Sequence, residues 1–255
     1  MIGATVATAS VSLGLRPAAA DALAHAPAGP LSWKTLLELG RIDVPTMANT
    51  IEDFDVRPRN EGFCRPEIAC RFRNLGVMVG YAGTCKTRSV RPRRADESYA
   101  PRRDFFDYIL SVPAPRVMVI EDADDPPGVG SYWGEMHATQ HQALACVGSV
   151  TNGCVRDLDE VEAIGFHLFS QHIGASHAYC HIIEFGKPVR IGGLLINSGD
   201  LLHGDKHGVQ NVPLEIAAQL PAACRKKREG EFDFIDFYRA PDFTIEKMRD
   251  QLQRR

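Results

Sequence analysis

The residues best placed to do chemistry in this chain are an acid at the start of one helical stretch, Glu135, and an adjacent pair, Arg156 and Asp157, about twenty residues further on. In GEMHATQHQALA a Pro/Gly-rich loop turns into a helix at Gly134. The backbone N–H groups of Glu135, Met136 and His137 therefore lack intrahelical acceptors and can receive a carboxylate. Arg156 offers a planar fork suited to a carboxylate or a keto oxygen. Asp157 and Glu135 offer hard oxygen ligands of the kind Mg²⁺ or Mn²⁺ takes, and such ions keep several waters and need only one or two protein carboxylates. A competing reading of the same spacing pairs Arg156 with Asp159 or Glu160 at the surface and leaves Asp157 as a helix cap.

Eight of the nine histidines fall between His137 and His207. His137 and His141 have the four-residue spacing of a helical metal pair, and His177 and His181 repeat it, but neither pair carries the Glu of H-E-x-x-H, so the spacing favours non-ligand roles. His172, His177 and His181 follow a strand and could line a pocket beside Asp157. Asp200, Asp205 and Gly208 read as turn formers. Tyr132 and Trp133, just before the helix start, suit a pocket wall or ordinary core packing equally.

These residues sit in a regular grammar. RVMVIED reads as a strand, GEMHATQHQALA as a helix, VGSVTNG as a second strand, RDLDEVEAIG as a helix closed by Gly165, and HLFSQH as a third strand. Connections this short predict parallel strands covered by helices, with the site beyond their carboxyl ends. Upstream, Trp33 to Phe54 has helical periodicity interrupted at Gly40 and Pro45. NLGVMVGY (74–81) is a buried strand or strand pair followed by a polar Arg/Pro-rich connection, and Phe105 to Leu110 is a short helix. Downstream, VRIGGLLINSGDLLHGDKHGVQNVP predicts hairpins in a second, antiparallel layer. A helix follows Pro213 to Leu220, then the charged run RKKREGE and a tail with Phe232, Phe234, Phe237, Tyr238 and Phe243, too aromatic for a free end and expected to dock on its own domain or a neighbouring subunit. The organisation is thus a leader and linker over 1–30, an α/β domain over 31–225, and a tail over 226–255.

With 255 residues, 44% hydrophobic and 24% charged, the chain can bury a substantial core. A formal charge of −3 gives no case for nucleic acid, and the cluster Arg88, Arg91, Arg93 and Arg94 reads as a solvated loop broken by Pro92. Seven cysteines without C-x-x-C spacing predict free, mostly buried thiols. No apolar run is long enough for a membrane-spanning helix. The first residues, ending in AAADA, resemble the apolar and cleavage parts of an export signal without its basic start, which leaves cytoplasmic and periplasmic locations both open.

The string GEMHATQHQALACVGSVTNGCVRDLDEVEAIGFHLFS resembles the central signature of RraA-like proteins and class II 4-hydroxy-4-methyl-2-oxoglutarate aldolases, with Gly153, Arg156 and Asp157 matching its Gly-x-x-Arg-Asp ending. GGLLINSGDLLHGDKHGVQNVP is similar to the family's second block. The resemblance spans about Leu36 to Ala223. It implies a three-layer swivelling β/β/α domain, assembled as trimers or hexamers with sites between subunits. It also implies Mg²⁺ or Mn²⁺ bound directly by Asp157 and through water by Glu135, with Arg156 on the keto acid and the amides of Gly134 to His137 on its carboxylate. The expected activity is retro-aldol cleavage or decarboxylation of a small 2-oxo acid, such as 4-hydroxy-4-methyl-2-oxoglutarate or oxaloacetate, to pyruvate. Family aldolases add an acid from a neighbouring subunit, for which Glu229 and Glu231 are candidates, and His137 departs from the family's small or aliphatic residue. The rival expectation is a non-catalytic, ribonuclease-binding regulator.

Overall fold

The computed structural model describes residues 16–253, so most of the signal-like stretch lies outside the described residues. Its elements, in chain order, begin with α1 (Ala20–Ala24), α2 (Trp33–Leu39), α3 (Val44–Glu52), β1 (Ala69–Cys70), β2 (Met78–Arg88), α4 (Arg102–Ser111), β3 (Arg116–Asp122) and β4 (Ser131–Trp133). Then follow α5 (Glu135–Ala143), β5 (Cys146–Val155), α6 (Leu158–Ala163), β6 (His167–Ile173), β7 (His181–Phe185), β8 (Val189–Ile191) and β9 (Leu194–Ile196). The chain ends in β10 (Leu201–Asp205), β11 (Gly208–Val212), α7 (Leu214–Ala217), α8 (Leu220–Arg239) and α9 (Ile245–Gln253).

The main sheet has the order β1-β6-β5-β3-β2-β10-β11. Its centre, β2, β3, β5 and β6, is parallel, as the alternation of strands and helices predicts. Cys64 donates its backbone N–H to Val209 on β11 while Ala69 and Cys70 pair with β6, so the 63–70 segment links both edges and the sheet nearly closes on itself. Alternation along β3 divides the core: Val117 and Val119 face an interior shared with the β8–β9 ribbon, while Met118 and Ile120 face Phe105, Ile109, Ala138 and Val161 of the covering helices. Ribbon, sheet and helices are the three layers of a mixed α/β domain.

Four details differ from the sequence reading. The expected antiparallel layer is only the β8–β9 ribbon, because β10 pairs with β2 and carries β11 into the main sheet. β2 starts at Met78 and runs on to Arg88 through the polar AGTCKTR; Thr84, Cys85 and Thr87 are nevertheless buried. Their small or β-branched side chains fit between strands where Gly83 already lies against Met118. Pro45 opens α3 instead of interrupting a helix, since Asp43 caps it by accepting the Thr46 N–H at 3.0 Å and the first turn needs no proline donor.

The fourth concerns the tail. RKKREGE is helical, so α8 runs unbroken across the expected boundary at 225/226, as its helix-favouring Lys, Arg and Glu residues allow. Only its first turns dock: Leu220, Pro221 and Cys224 are buried, and Lys227 reaches Asp53 beside α3 at 2.7 Å. Beyond them Phe232, Tyr238, Ile245 and Leu252 are exposed, while Phe237, Tyr238 and Phe243 pack on one another. At the other end, Ala19 and Ala22 of the cleavage-like AAADA are buried in the core. Among the described residues no helix is long and apolar enough to cross a membrane.

Candidate functional site

Neighbouring parallel strands bring the two halves of the site together. β4 lies beside β5 with Trp133 opposite Val155, so both strands end at the same level and release Gly134–Glu135 and Arg156–Asp157 side by side. Arg156 donates its backbone N–H to the Trp133 carbonyl at 3.1 Å, which ties the two exits together. Asp157 has φ +53°, a left-handed backbone that Asp tolerates better than most residues. Its side chain makes no capping bond to α6. It turns instead to α5, where Oδ2 accepts the Glu135 N–H at 3.0 Å with Arg156 Nε 3.8 Å away. Gly134 makes this approach possible, since a Cβ there would stand 2.4 Å from Asp157 Oδ2 and 3.2 Å from Arg156 Nε.

The surface alternative drawn from spacing is not what forms. Among the described residues Arg156 makes no ion pair with Asp159 or Glu160. One expectation needs correcting, because the Glu135 amide, assigned to a substrate carboxylate, is taken by Asp157. The amides of Met136 and His137 are left for that role. The exposed Glu135 side chain also lies outside the cavity lining.

Gly134, Met136, His137, Arg156 and Asp157 border a cavity of about 330 Å³. Asp157 supplies one carboxylate, and its Oδ1 accepts no hydrogen bond among the described residues. That donor set fits Mg²⁺ or Mn²⁺, which complete their shells with water and ligand oxygens. It does not fit zinc, and among the described residues no three His, Cys, Asp or Glu side chains converge as a metal cage.

Histidines form much of the remaining wall. His137 Nδ1 lies 2.6 Å from the Tyr132 carbonyl, which can only accept, so the proton sits on Nδ1 and Nε2 is left as an acceptor. The ring stacks on Tyr132 at 4.5 Å. Burial pushes the His137 pKa down against the Tyr132 bond, and Arg102, Arg156 and His177 push it further, so the ring is neutral near pH 7. His177 and His181 also line the cavity, with Nδ1 held by the carbonyls of Ala178 and Tyr179. His172 does not line it and packs against Gly128. His141 is core: fully buried, bonded to the His137 carbonyl, packed on Trp133, and driven down to about 3 by burial. Tyr132 walls the cavity, whereas Trp133 is buried beneath it.

Asp200 and Asp205 hold turns, accepting from Asn197 N–H and His207 N–H. Neither Glu229 nor Glu231 lines the cavity, and Glu231 pairs with Arg228. All seven cysteines are free, and burial pushes Cys180, the one at the cavity, up to about 12, so it remains a neutral thiol. Sequence reasoning missed Arg93 and Arg102, which line the cavity with Arg156. A larger groove of about 830 Å³, lined by residues such as Arg57, Glu61, Arg190 and Glu215, mixes charges of both signs and does not include the Arg156–Asp157 pair.

Known proteins share the family and the fold of this chain. A protein of Methanocaldococcus jannaschii without assigned function is 26% identical over 117 residues, 41% of this chain and 52% of that one. The Legionella pneumophila protein DlpA is 28% identical over 111 residues, 42% of this chain and 17% of DlpA. These matches thus span about half of one relative and under a fifth of the other. A Pseudomonas syringae structure without assigned function superposes with a TM-score of 0.67 at 23% identity, covering 88% of this chain and 97% of that one. Streptomyces coelicolor RraAS2, described as an unusual member of the RNase ES inhibitor RraA protein family, gives 0.62 at 20% identity, covering 81% and 98%. These likenesses show a shared fold. The family profile described as "RraA-like: Aldolase/RraA" matches residues 47–210, from within α3 to β11 and including every residue of the Glu135–Arg156–Asp157 site, and the chain belongs to that family.

Proposed function

We propose that the protein is a divalent-metal-dependent carbon–carbon lyase that converts small 2-oxo acids such as 4-hydroxy-4-methyl-2-oxoglutarate or oxaloacetate to pyruvate. The observation that carries this reading is the Asp157 carboxylate, held by the Glu135 amide with one oxygen open and Arg156 beside it at the cavity mouth. A helix cap would have no reason to turn away from its own helix. Asp157 would hold Mg²⁺ or Mn²⁺, with waters completing the shell. When bound, the metal supplies Lewis-acid polarisation of the keto acid.

The chain's own groups do the rest. The Met136 and His137 amides at the start of α5 receive the substrate carboxylate. Arg156 donates to the keto oxygen and stabilises the negative charge that grows there as the carbon–carbon bond breaks. Retro-aldol cleavage and decarboxylation share that charge, so one site serves both. The functional unit in this reading is a homotrimer or hexamer in which a neighbour completes the site.

The test is pyruvate release from both acids with Mg²⁺, with Mn²⁺ and with chelator, alongside Asp157→Ala. Activity should need the metal and fall by about 10²-fold or more in the variant. Metal-independent turnover, or full activity in Asp157→Ala, contradicts the lyase. An inert protein that co-purifies with a ribonuclease would favour the regulator reading.

A further inference from the structure

Three histidines line the cavity, and all three are fixed as the same tautomer. Nδ1 of His137 lies 2.6 Å from the Tyr132 carbonyl, Nδ1 of His177 2.6 Å from that of Ala178, and Nδ1 of His181 2.7 Å from that of Tyr179. A carbonyl only accepts, so each proton sits on Nδ1, and each Nε2 is an acceptor without a partner among the described residues. Their settings differ. His177 is exposed, so its acceptor is met by water. His137 resists a proton, through burial first and then through the charges of Arg102 and Arg156.

His181, the first residue of β7, is only 5% exposed. Tyr99 packs edge-on against its ring at 4.8 Å, so the Tyr179 carbonyl and the phenol fix its plane and leave Nε2 as its free polar atom at the cavity. Tyr99 is itself held, since its hydroxyl donates to Glu97 and accepts the Arg94 N–H at 2.7 Å. The charged and titratable groups around the ring are Arg88, its partner across β2, with Tyr99, Cys180, Arg93 and Arg102. None of these is a carboxylate, so no ion pair keeps the imidazole charged. A nearly buried acceptor with no partner is costly unless a ligand or water donates to it.

We infer that His181 is the proton-transfer residue of retro-aldol cleavage in this cavity, its Nε2 taking the proton of the substrate 4-hydroxyl and returning it to carbon. This rests on the lyase reading of Arg156 and Asp157. As the O–H bond breaks towards Nε2, the hydroxyl-bearing carbon becomes a carbonyl and the C3–C4 bond breaks. The electron pair of that bond moves onto the keto oxygen beside Arg156, giving an enolate. The His181 imidazolium then gives the proton to C3 of the enolate, pyruvate forms, and the ring ends neutral as it began. Decarboxylation has no hydroxyl proton to remove, so its bond breaking needs Arg156 but not His181. The two reactions part at this residue.

Two rates of the full chain with Mn²⁺ present test it, pyruvate release from 4-hydroxy-4-methyl-2-oxoglutarate and CO₂ release from oxaloacetate. His181→Gln stays polar but cannot carry the proton, so it should slow the first by about 10²-fold or more, the scale of acid–base catalysis, and leave the second unchanged. In His181→Ala, imidazole added to the buffer should restore part of the retro-aldol rate, a gain that a structural role would not give. His172→Gln, outside the cavity lining, should alter neither rate. Without metal or substrate, nitrogen-15 spectra should show the His181 proton on Nδ1. The role is overturned if His181→Gln cleaves at the wild-type rate, if both reactions fall together, if imidazole restores nothing, or if the proton sits on Nε2. A wild type that releases CO₂ but leaves the hydroxy acid intact removes the His181 role and keeps the lyase. One that turns over neither acid overturns the lyase itself.

Discussion

Asp157 shows how little a sequence pattern says about direction. An Asp before a helix reads as a cap, and the backbone alone decides otherwise: φ +53° swings the carboxylate from α6 to the N–H of Glu135. Gly134 is the other half of that arrangement, because no side chain fits between its Cα and Asp157. Gly134→Ala should therefore displace Asp157 and Arg156 while leaving the sheet intact. Activity should fall by about 10²-fold, the order seen when a reacting group is misplaced by an ångström, with the far-ultraviolet circular dichroism unchanged. A fully active Gly134→Ala protein would show that the close approach is incidental. Arg156, Asp157 and the opening of α5 were legible because residue type and spacing carry their chemistry. Arg93 was not, because a run of arginines broken by Pro92 reads as a solvated loop, and Arg102 was not, because it stands outside that run at the start of α4.

At the scale of elements, the β3–α5–β5–α6–β6 stretch was readable because its apolar runs, Gly/Pro breaks and short connections all agree. β2 was cut short for the opposite reason. The residues of AGTCKTR are polar or small, and their burial is fixed by β3 and β7 on either side, which local pattern does not contain. The placement of β10–β11 was hidden in the same way, since hairpins announce their turns but not which sheet they join. Arg116 was likewise read only as the first residue of a strand. It is fully buried and donates to the carbonyls of Leu110, Val112 and Leu144, closing the ends of α4 and α5 above the strand it begins. The helix that carries Arg102 and the helix that carries His137 are thus held by one guanidinium.

For the whole molecule, buried histidines set the response to acid. His141 and His167 are held neutral by burial, with pKa values driven down from 6.5 to about 3 and about 4. In the unfolded chain they protonate near pH 6.5, so their contribution to stability is complete above that pH. It is lost as pH falls from 6.5 through about 4, by up to roughly 1.4 kcal/mol per pH unit for each histidine. Urea midpoints should accordingly drop between pH 7 and 5, and a flat profile would mean that the histidines protonate in place. The site itself joins fold and chemistry through one interaction, the Asp157 carboxylate on the Glu135 amide beside Arg156. Mn²⁺ binding followed by electron paramagnetic resonance probes it most directly. The wild type should take up Mn²⁺ more tightly when pyruvate is present, and Asp157→Asn should lose that uptake while remaining folded. Undiminished, pyruvate-dependent Mn²⁺ binding by Asp157→Asn would contradict the assignment of Asp157 as the metal ligand.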